Sequence, residues 1–169
     1  DGHAALKEAL KRDPDNPRSY SKLSSIYERL DEADDALWAI DKAIELAPNT
    51  PLFLARKASI LHISNNIDAA LEIVEEALKM NPDLMPALIT KAEILIAINR
   101  MEEAEEALDR AKKVNADYPL IYFTLSSIKK FRSEDDEDFQ KMLSLRENTS
   151  NMGVVFSSSL DYALAKGYE

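Results

Sequence analysis

Apolar residues recur along this chain at the spacing of one face of an α-helix, and the faces come in pairs. Leu23 and Tyr27 lie on the apolar stripe of one predicted helix, and Ala36 and Ile40 lie on that of the next. Prolines separate successive pairs, because the residue before a proline is driven out of the helical region. The pattern therefore predicts helical hairpins joined by short turns.

The hairpins repeat every 34 residues. A small residue recurs at this spacing in each first helix, at Ser24, Ala58 and Ala92, and then at Ser126. An alanine recurs at the same spacing in each second helix, at Ala36, Ala70 and Ala104. Small side chains let two helices approach closely while bulky neighbours fill the gaps. A fixed period of this length is typical of stacked helical repeats rather than of one closed globule.

Polar residues mark the predicted turns inside these hairpins. The turns fall near Asp31, at Asn65-Asn66 and at Asn99. Asparagine and aspartate tolerate the left-handed conformation that often ends a helix, where glycine is the usual residue.

We expect one domain over residues 1–169. Its predicted parts are a partial repeat at 1–16, full repeats at 17–50, 51–84 and 85–118, a degenerate repeat at 119–149 and a truncated helix at 150–169. Leu6, Ala9 and Leu10 form the stripe of the partial repeat, and the first helix of the degenerate repeat is expected to include Ile128. The first residue is not Met and the last lies in a helical pattern, which suggests a fragment of a longer protein.

The order of bulky and small residues, followed by alanines and a proline, resembles the tetratricopeptide repeat. The resemblance covers about residues 1–131 and implies an all-α, right-handed superhelical solenoid of helical hairpins. The Trp-Leu-Gly motif and the turn glycine of that family are missing from this sequence. The tail, DDEDFQKMLSLRE and then LDYALAKGYE, more weakly resembles the segment that joins such repeats to a sulfotransferase domain in bacterial multidomain proteins.

Composition argues against several classes of partner and site. The net charge of −10 makes nucleic acid an unsuitable general partner, and no apolar run is long enough for membrane insertion. No cysteine is present, which excludes disulfides and thiolate metal sites. The compartment stays open, with the cytoplasm slightly favoured.

Candidate catalytic and metal-binding motifs are missing from the sequence. His3 and His62 are the only histidines, and they fall in different repeats. Adjacent carboxylates such as Glu75 and Glu76 diverge on a helix, and no glycine-rich phosphate loop is present. We therefore expect no enzyme activity, no metal and no cofactor.

The concave surface of the predicted solenoid is a better candidate for a functional site than any catalytic motif. The first helices of stacked hairpins line this surface. Its predicted partner-binding residues are Arg18, Ser21, Lys22, Ser25, Ala55, Arg56, Ser59, His62, Ile89, Glu93, Ile96, Phe123, Ser127 and Lys130. Glu28, Leu52, Thr90 and Thr124 lie on the same predicted faces. Among the predicted residues, Ile89, Ile96 and Phe123 are expected to form an apolar floor toward the C-terminal half of the groove. Packing between repeats, or idle surface, is the competing interpretation of each.

Charge suggests the type of partner. The predicted first helices carry an excess of basic residues and the second helices an excess of acidic ones, which favours an acidic or C-terminal segment as ligand. Chaperone-binding members of the family use lysine and asparagine in a carboxylate clamp. The corresponding first-repeat positions here are Ser21 and Ser25, which argues against that activity although Arg56 is present.

The sequence thus predicts a non-catalytic scaffold that binds a peptide or protein partner in a groove. Two alternatives stay open. One is an accessory region of a larger enzyme, such as a bacterial sulfotransferase. The other is self-association through exposed end helices.

Overall fold

The protein is helical over most of the residues that its computed structural model describes, which are 6, 8, 10–129, 136–147, 161, 162, 164 and 165. The helices bounded in that part are α1 (Pro17–Arg29), α2 (Ala33–Leu46), α3 (Pro51–Ile63), α4 (Ile67–Met80), α5 (Met85–Ala97), α6 (Met101–Val114), α7 (Pro119–Leu125) and α8 (Glu137–Glu147). None of the described residues lies in a β-strand. The predicted all-α class is confirmed.

Prolines open several of the first helices. Pro17, Pro51 and Pro119 are the first residues of α1, α3 and α7. This position suits proline, because the first N–H of a helix has no intrahelical partner and the ring presets the helical φ angle. Asn16 adds a cap, since its side-chain oxygen accepts a hydrogen bond of 3.1 Å from the backbone N–H of Ser19.

The turns within the hairpins have one common geometry. Asp31, Asn65 and Asn99 have φ angles of 61°, 59° and 60°, at the positions that the sequence predicts. The backbone N–H of each following residue bonds to a carbonyl five positions earlier, as in Asn66 to Leu61 at 2.8 Å. These bonds define the helix ending in which a left-handed residue satisfies the last carbonyls of the helix.

The small residues at the repeat spacing are buried. Ser24, Ala58, Ala92 and Ser126 are at most 5% exposed, and Ala36, Ala70 and Ala104 are fully buried. Their burial confirms the close packing that the sequence predicts for tetratricopeptide hairpins.

The chain divides into two compact units, and the first is Asp1–Thr90. In it α1 packs on α2, α2 on α3 and α3 on α4. The core around α1 and α2 includes Leu23, Tyr27, Ala36, Ala39, Ile40, Ala43, Phe53 and Ile60. Leu6 and Leu10 pack against this core, as predicted for the partial repeat, while Ala9 lies outside the described residues.

The second unit is Lys91–Glu169, in which α6 packs on α7 and α7 on α8. Ion pairs join these helices: Asp138 lies 3.1 Å from the Lys112 Nζ and 2.8 Å from the Lys129 Nζ. Asp136 begins α8 by accepting hydrogen bonds from the backbone N–H groups of Asp138 and Phe139. Acidic side chains in this first turn, Glu137 and Asp138, also complement the dipole of α8.

Helix α7 is shorter than expected. The sequence predicts a first helix that includes Ile128, but α7 ends at Leu125 and residues 126–128 form a turn. The Oγ1 of Thr124 donates to the carbonyl oxygen of Leu120 at 2.9 Å, and the Oγ of Ser126 donates to that of Phe123 at 2.7 Å. Beyond Leu125 the backbone N–H groups of Ser127 and Ile128 bond to carbonyls three positions earlier, both at 3.0 Å, which is the tighter pattern of a 3₁₀ turn.

Candidate functional site

A cavity of about 160 Å³ lies in the first unit, where residues of α1, α3 and α5 meet. Its apolar lining is Leu52, Ala55 and Pro86, and its polar lining is Glu28, Arg56, Ser59 and Thr90. All three helices are first helices of their hairpins. Apolar walls with a few converging polar groups are typical of ligand sites.

Arg56 is the central polar group of this cavity. Its Nη1 donates a hydrogen bond of 2.6 Å to the Oγ of Ser25 on α1. The Ser25 hydroxyl in turn donates to the carbonyl oxygen of Ser21 at 3.2 Å, so its oxygen lone pairs remain available to Arg56. The Nε of Arg56 is buried and has no hydrogen-bond acceptor in the described part of the chain. The guanidinium is therefore positioned by one bond and retains unused donors.

Glu28 supplies the opposite charge. One of its carboxylate oxygens lies 3.8 Å from the Arg56 Nη1, with the two side chains 26% and 34% exposed. Burial raises the pKa of Glu28 above its usual value, and the charge of Arg56 partly opposes that rise. The cavity therefore contains a loosely paired cation and anion rather than one net charge.

The predicted groove residues of the first unit fall into three groups. Ala55, Arg56 and Ser59 line the cavity, and Ser25 and Ser21 join it through the Arg56 hydrogen bonds. Arg18 and Lys22 are exposed and His62 is half-buried, with its pKa lowered by burial. Ile89 is 3% exposed, so its side chain is buried instead of presenting an apolar floor.

The predicted groove residues of the second unit lie in varied surroundings. Glu93 and Ile96 are half-buried on α5, and burial raises the pKa of Glu93. The ring of Phe123 lies 5.7 Å from that of Tyr162, so part of this predicted floor is already in contact. Ser127 is exposed beyond the end of α7, and Lys130 lies outside the described residues.

Sequence reasoning placed Glu28, Leu52 and Thr90 on the right faces but left them out of the predicted binding set, and it did not single out Pro86. It also missed that Glu28 pairs with Arg56. The available signal was the pair of opposite charges on consecutive predicted first helices. It was not decisive, because residue spacing does not fix which side chains meet across two helices.

Helical hairpins of 34 residues with left-handed turns are the architecture of helical-repeat proteins. Two family models described as tetratricopeptide repeat match residues 1–51 and 61–125, which together exceed half of the chain. The chain belongs to the tetratricopeptide-repeat family.

Several solved structures share this fold. TTC0263, a thermophilic TPR protein from Thermus thermophilus, superposes with a TM-score of 0.78 at 17% identity, covering 96% of this chain and 89% of that one. YrrB, a TPR protein with an unusual peptide-binding site, has a TM-score of 0.62 at 16% identity, covering 97% and 82%. The first TPR of Spaghetti (RPAP3), bound to the HSP90 peptide SRMEEVD, has a TM-score of 0.61 at 17% identity, covering 66% and 89%.

No curated protein matches the sequence. The matching family models and the structures named above give no support to the sulfotransferase resemblance of the tail. Among the described helices, none combines the length and apolar character needed to cross a membrane. In the same residues, no group of three or more His, Asp or Glu side chains is arranged to hold a metal ion.

Proposed function

We propose that the chain is a non-catalytic scaffold that binds an extended or helical peptide segment of a protein partner at the cavity of the first unit. The observation that carries the proposal is the cavity lining, which comes from the first helices of three consecutive hairpins. A surface shared by several hairpins can hold a segment longer than one small molecule.

The chemistry of the lining supports a peptide ligand. Leu52 and Pro86 offer apolar contact, while Arg56, Ser59 and Thr90 offer polar groups that can fix the orientation of a chain. Two proteins of the same fold, YrrB and the first TPR of Spaghetti (RPAP3), are described as having a peptide-binding site or a bound peptide.

The charges of the first unit give little reason to favour an acidic ligand. Arg56 lies beside Glu28, and the Lys57 Nζ lies 2.8 Å from a carboxylate oxygen of Asp41. These pairings offset part of the basic excess that the sequence assigns to the first helices. The proposal therefore carries no preference for a negatively charged partner. No described contact favours self-association or an accessory role in a larger enzyme.

The experiment is a selection of random 12-residue peptides, displayed on phage, against the purified chain. We expect selected peptides to bind the unaltered chain and to lose at least about tenfold in affinity for Ser59→Tyr, which fills the cavity. Asp68→Tyr is the control, because Asp68 is exposed on the second helix α4. Circular dichroism verifies that both variants stay folded. Failure to select any peptide, or equal binding by folded Ser59→Tyr, would refute the proposal.

A further inference from the structure

The cationic Arg56 and the anionic Glu28 of the cavity indicate the chemical class of the ligand, and this inference rests on the proposed function. We infer that it recognises the side-chain amide of an asparagine or glutamine in the bound peptide. The amide oxygen accepts a hydrogen bond from Arg56, and the amide nitrogen donates one to Glu28. Both groups line the cavity, from α3 and α1 respectively.

Arg56 has N–H hydrogen-bond donors that no group in the described part of the chain uses. A guanidinium carries five N–H donors, and in the described part of the chain Arg56 makes one hydrogen bond, to the Ser25 Oγ. Its Nε is buried with no acceptor, which is costly for a charged donor. A ligand oxygen beside the guanidinium would supply the acceptor that the protein does not provide.

Glu28 has acceptors to spare. Its separation of 3.8 Å from the Arg56 Nη1 exceeds the 2.7 to 2.9 Å that is typical of a charge-assisted hydrogen bond. No hydrogen bond to the Glu28 carboxylate is found among the described residues. The two charged groups are therefore close enough to act on one ligand group without saturating each other.

The opposite charges of Arg56 and Glu28 argue against a ligand group that carries a single charge. A carboxylate attracted by Arg56 would also face the Glu28 carboxylate, and an ammonium attracted by Glu28 would face Arg56. Each would lose by repulsion much of what it gains by attraction. A neutral group that both accepts and donates meets neither penalty.

Among such neutral groups, the side-chain amide matches best. It places one acceptor and two donor hydrogens at the same end of a side chain. A backbone amide, by contrast, directs its C=O and N–H to opposite sides of a trans peptide. The cavity of about 160 Å³ also exceeds the roughly 10 to 15 Å³ of such space that one water needs. Ala55 and Pro86 can contact the methylene groups of the entering side chain.

The test uses peptides from the display selection. We expect asparagine or glutamine to be enriched at one position of the selected peptides. Calorimetry then compares two synthetic peptides that differ only by Gln or Glu at that position. The unaltered chain should bind the Gln peptide about tenfold more tightly, and Glu28→Gln should abolish or reverse that preference. Glu76→Gln, a matched change on the exposed face of α4, should retain it. Equal or tighter binding of the Glu peptide to the unaltered chain, or a preference unchanged in Glu28→Gln, overturns the inference.

The two proposals fail differently. If peptides bind at the cavity without an amide preference, the proposed function stands and the amide inference is wrong. If no peptide is selected, the proposed function is wrong, and a titration with butyramide and butyrate still decides the inference. The Nε–H resonance of Arg56 is assigned by its loss in Arg56→Lys. It should shift at butyramide concentrations about tenfold lower than the butyrate concentrations that give the same shift. A response to butyrate of equal strength overturns the inference.

Discussion

At the scale of single residues, three positions in the described part of the chain adopt a backbone conformation that most side chains avoid. Asp31, Asn65 and Asn99 all have φ near +60°, where the Cβ of an L-residue crowds the carbonyl oxygen. Asparagine and aspartate are tolerated there because their short polar side chains can bond locally. The turns therefore work without the glycine that the family usually places at this point.

This explanation predicts a contrast between two substitutions at one turn. Asn65→Ala should lower the free energy of unfolding by about 1 kcal/mol, whereas Asn65→Gly should leave it unchanged or slightly higher. Urea unfolding followed by circular dichroism measures both. Asn66→Ala is the control, because Asn66 has φ of −89° and makes no side-chain cap. Equal losses for Asn65→Ala and Asn66→Ala would contradict the explanation.

Glu93 leads to a prediction about pH. Burial raises its pKa, so the folded chain holds this proton to a higher pH than the unfolded chain does. The contribution of Glu93 to stability is then greatest below the ordinary glutamate pKa and is lost as the pH rises through the raised value. Glu93→Gln should remove this loss and increase stability at neutral pH.

The pH prediction is checked by urea unfolding at several pH values. The stability difference between Glu93→Gln and the unaltered chain should grow as the pH rises from acid to neutral. Glu105→Gln is the control, because Glu105 is exposed on α6 and should give a small difference that changes little. A difference for Glu93→Gln that stays constant with pH would show that burial of the charge is not its cause.

At the scale of helices, ion pairs hold the start of α8 against earlier parts of the chain. Asp138, in its first turn, contacts Lys112 of α6 and Lys129, which follows the turn after α7. These contacts connect α8 with the second helix of a full repeat and with the residue that follows the turn after α7. The ion pairs are partly buried, since the Asp138 side chain is 16% exposed. Removing one partner of such a set leaves charges short of hydrogen bonds.

We therefore predict that Asp138→Asn destabilises the second unit by about 1 to 2 kcal/mol. Hydrogen exchange measured by mass spectrometry should show faster exchange in α8. Glu137→Gln is a closely matched control, because Glu137 is exposed in the same first turn and also complements the helix dipole. If Glu137→Gln accelerates exchange equally, the dipole rather than the lysine contacts explains the effect.

The helices also show which features can be predicted from sequence. The turn at Asn65 and the buried Ala58 depend on spacing and on residue size, which are properties that each repeat carries locally. The pairing of Arg56 with Glu28 depends on how two helices from different hairpins face each other, and spacing does not specify that. Likewise, α7 ends at Leu125, where the backbone bonds tighten to a spacing of three residues, and the apolar pattern gives no sign of this because it continues to Ile128.

At the scale of the whole molecule, the chain consists of two compact units, Asp1–Thr90 and Lys91–Glu169. In repeat proteins, stability is approximately the sum of the repeat stabilities and the interfaces between neighbouring repeats. A local defect should therefore affect nearby hairpins more than distant ones. The single tryptophan, Trp38, lies on α2 and provides a fluorescent reporter for the first unit.

Ile40 on α2 allows this expectation to be tested, because it is fully buried in the core of the first unit. Ile40→Ala should cost about 2 to 4 kcal/mol, since it leaves a cavity among packed side chains. Trp38 fluorescence should report unfolding at lower urea, and hydrogen exchange should accelerate more in α1 to α3 than in α8. Ile63→Ala is the control, because Ile63 is 62% exposed and should change stability by no more than about 0.5 kcal/mol. Equal acceleration in α8 would instead show that the chain unfolds as one cooperative body, so that coupling between hairpins exceeds the stability of each.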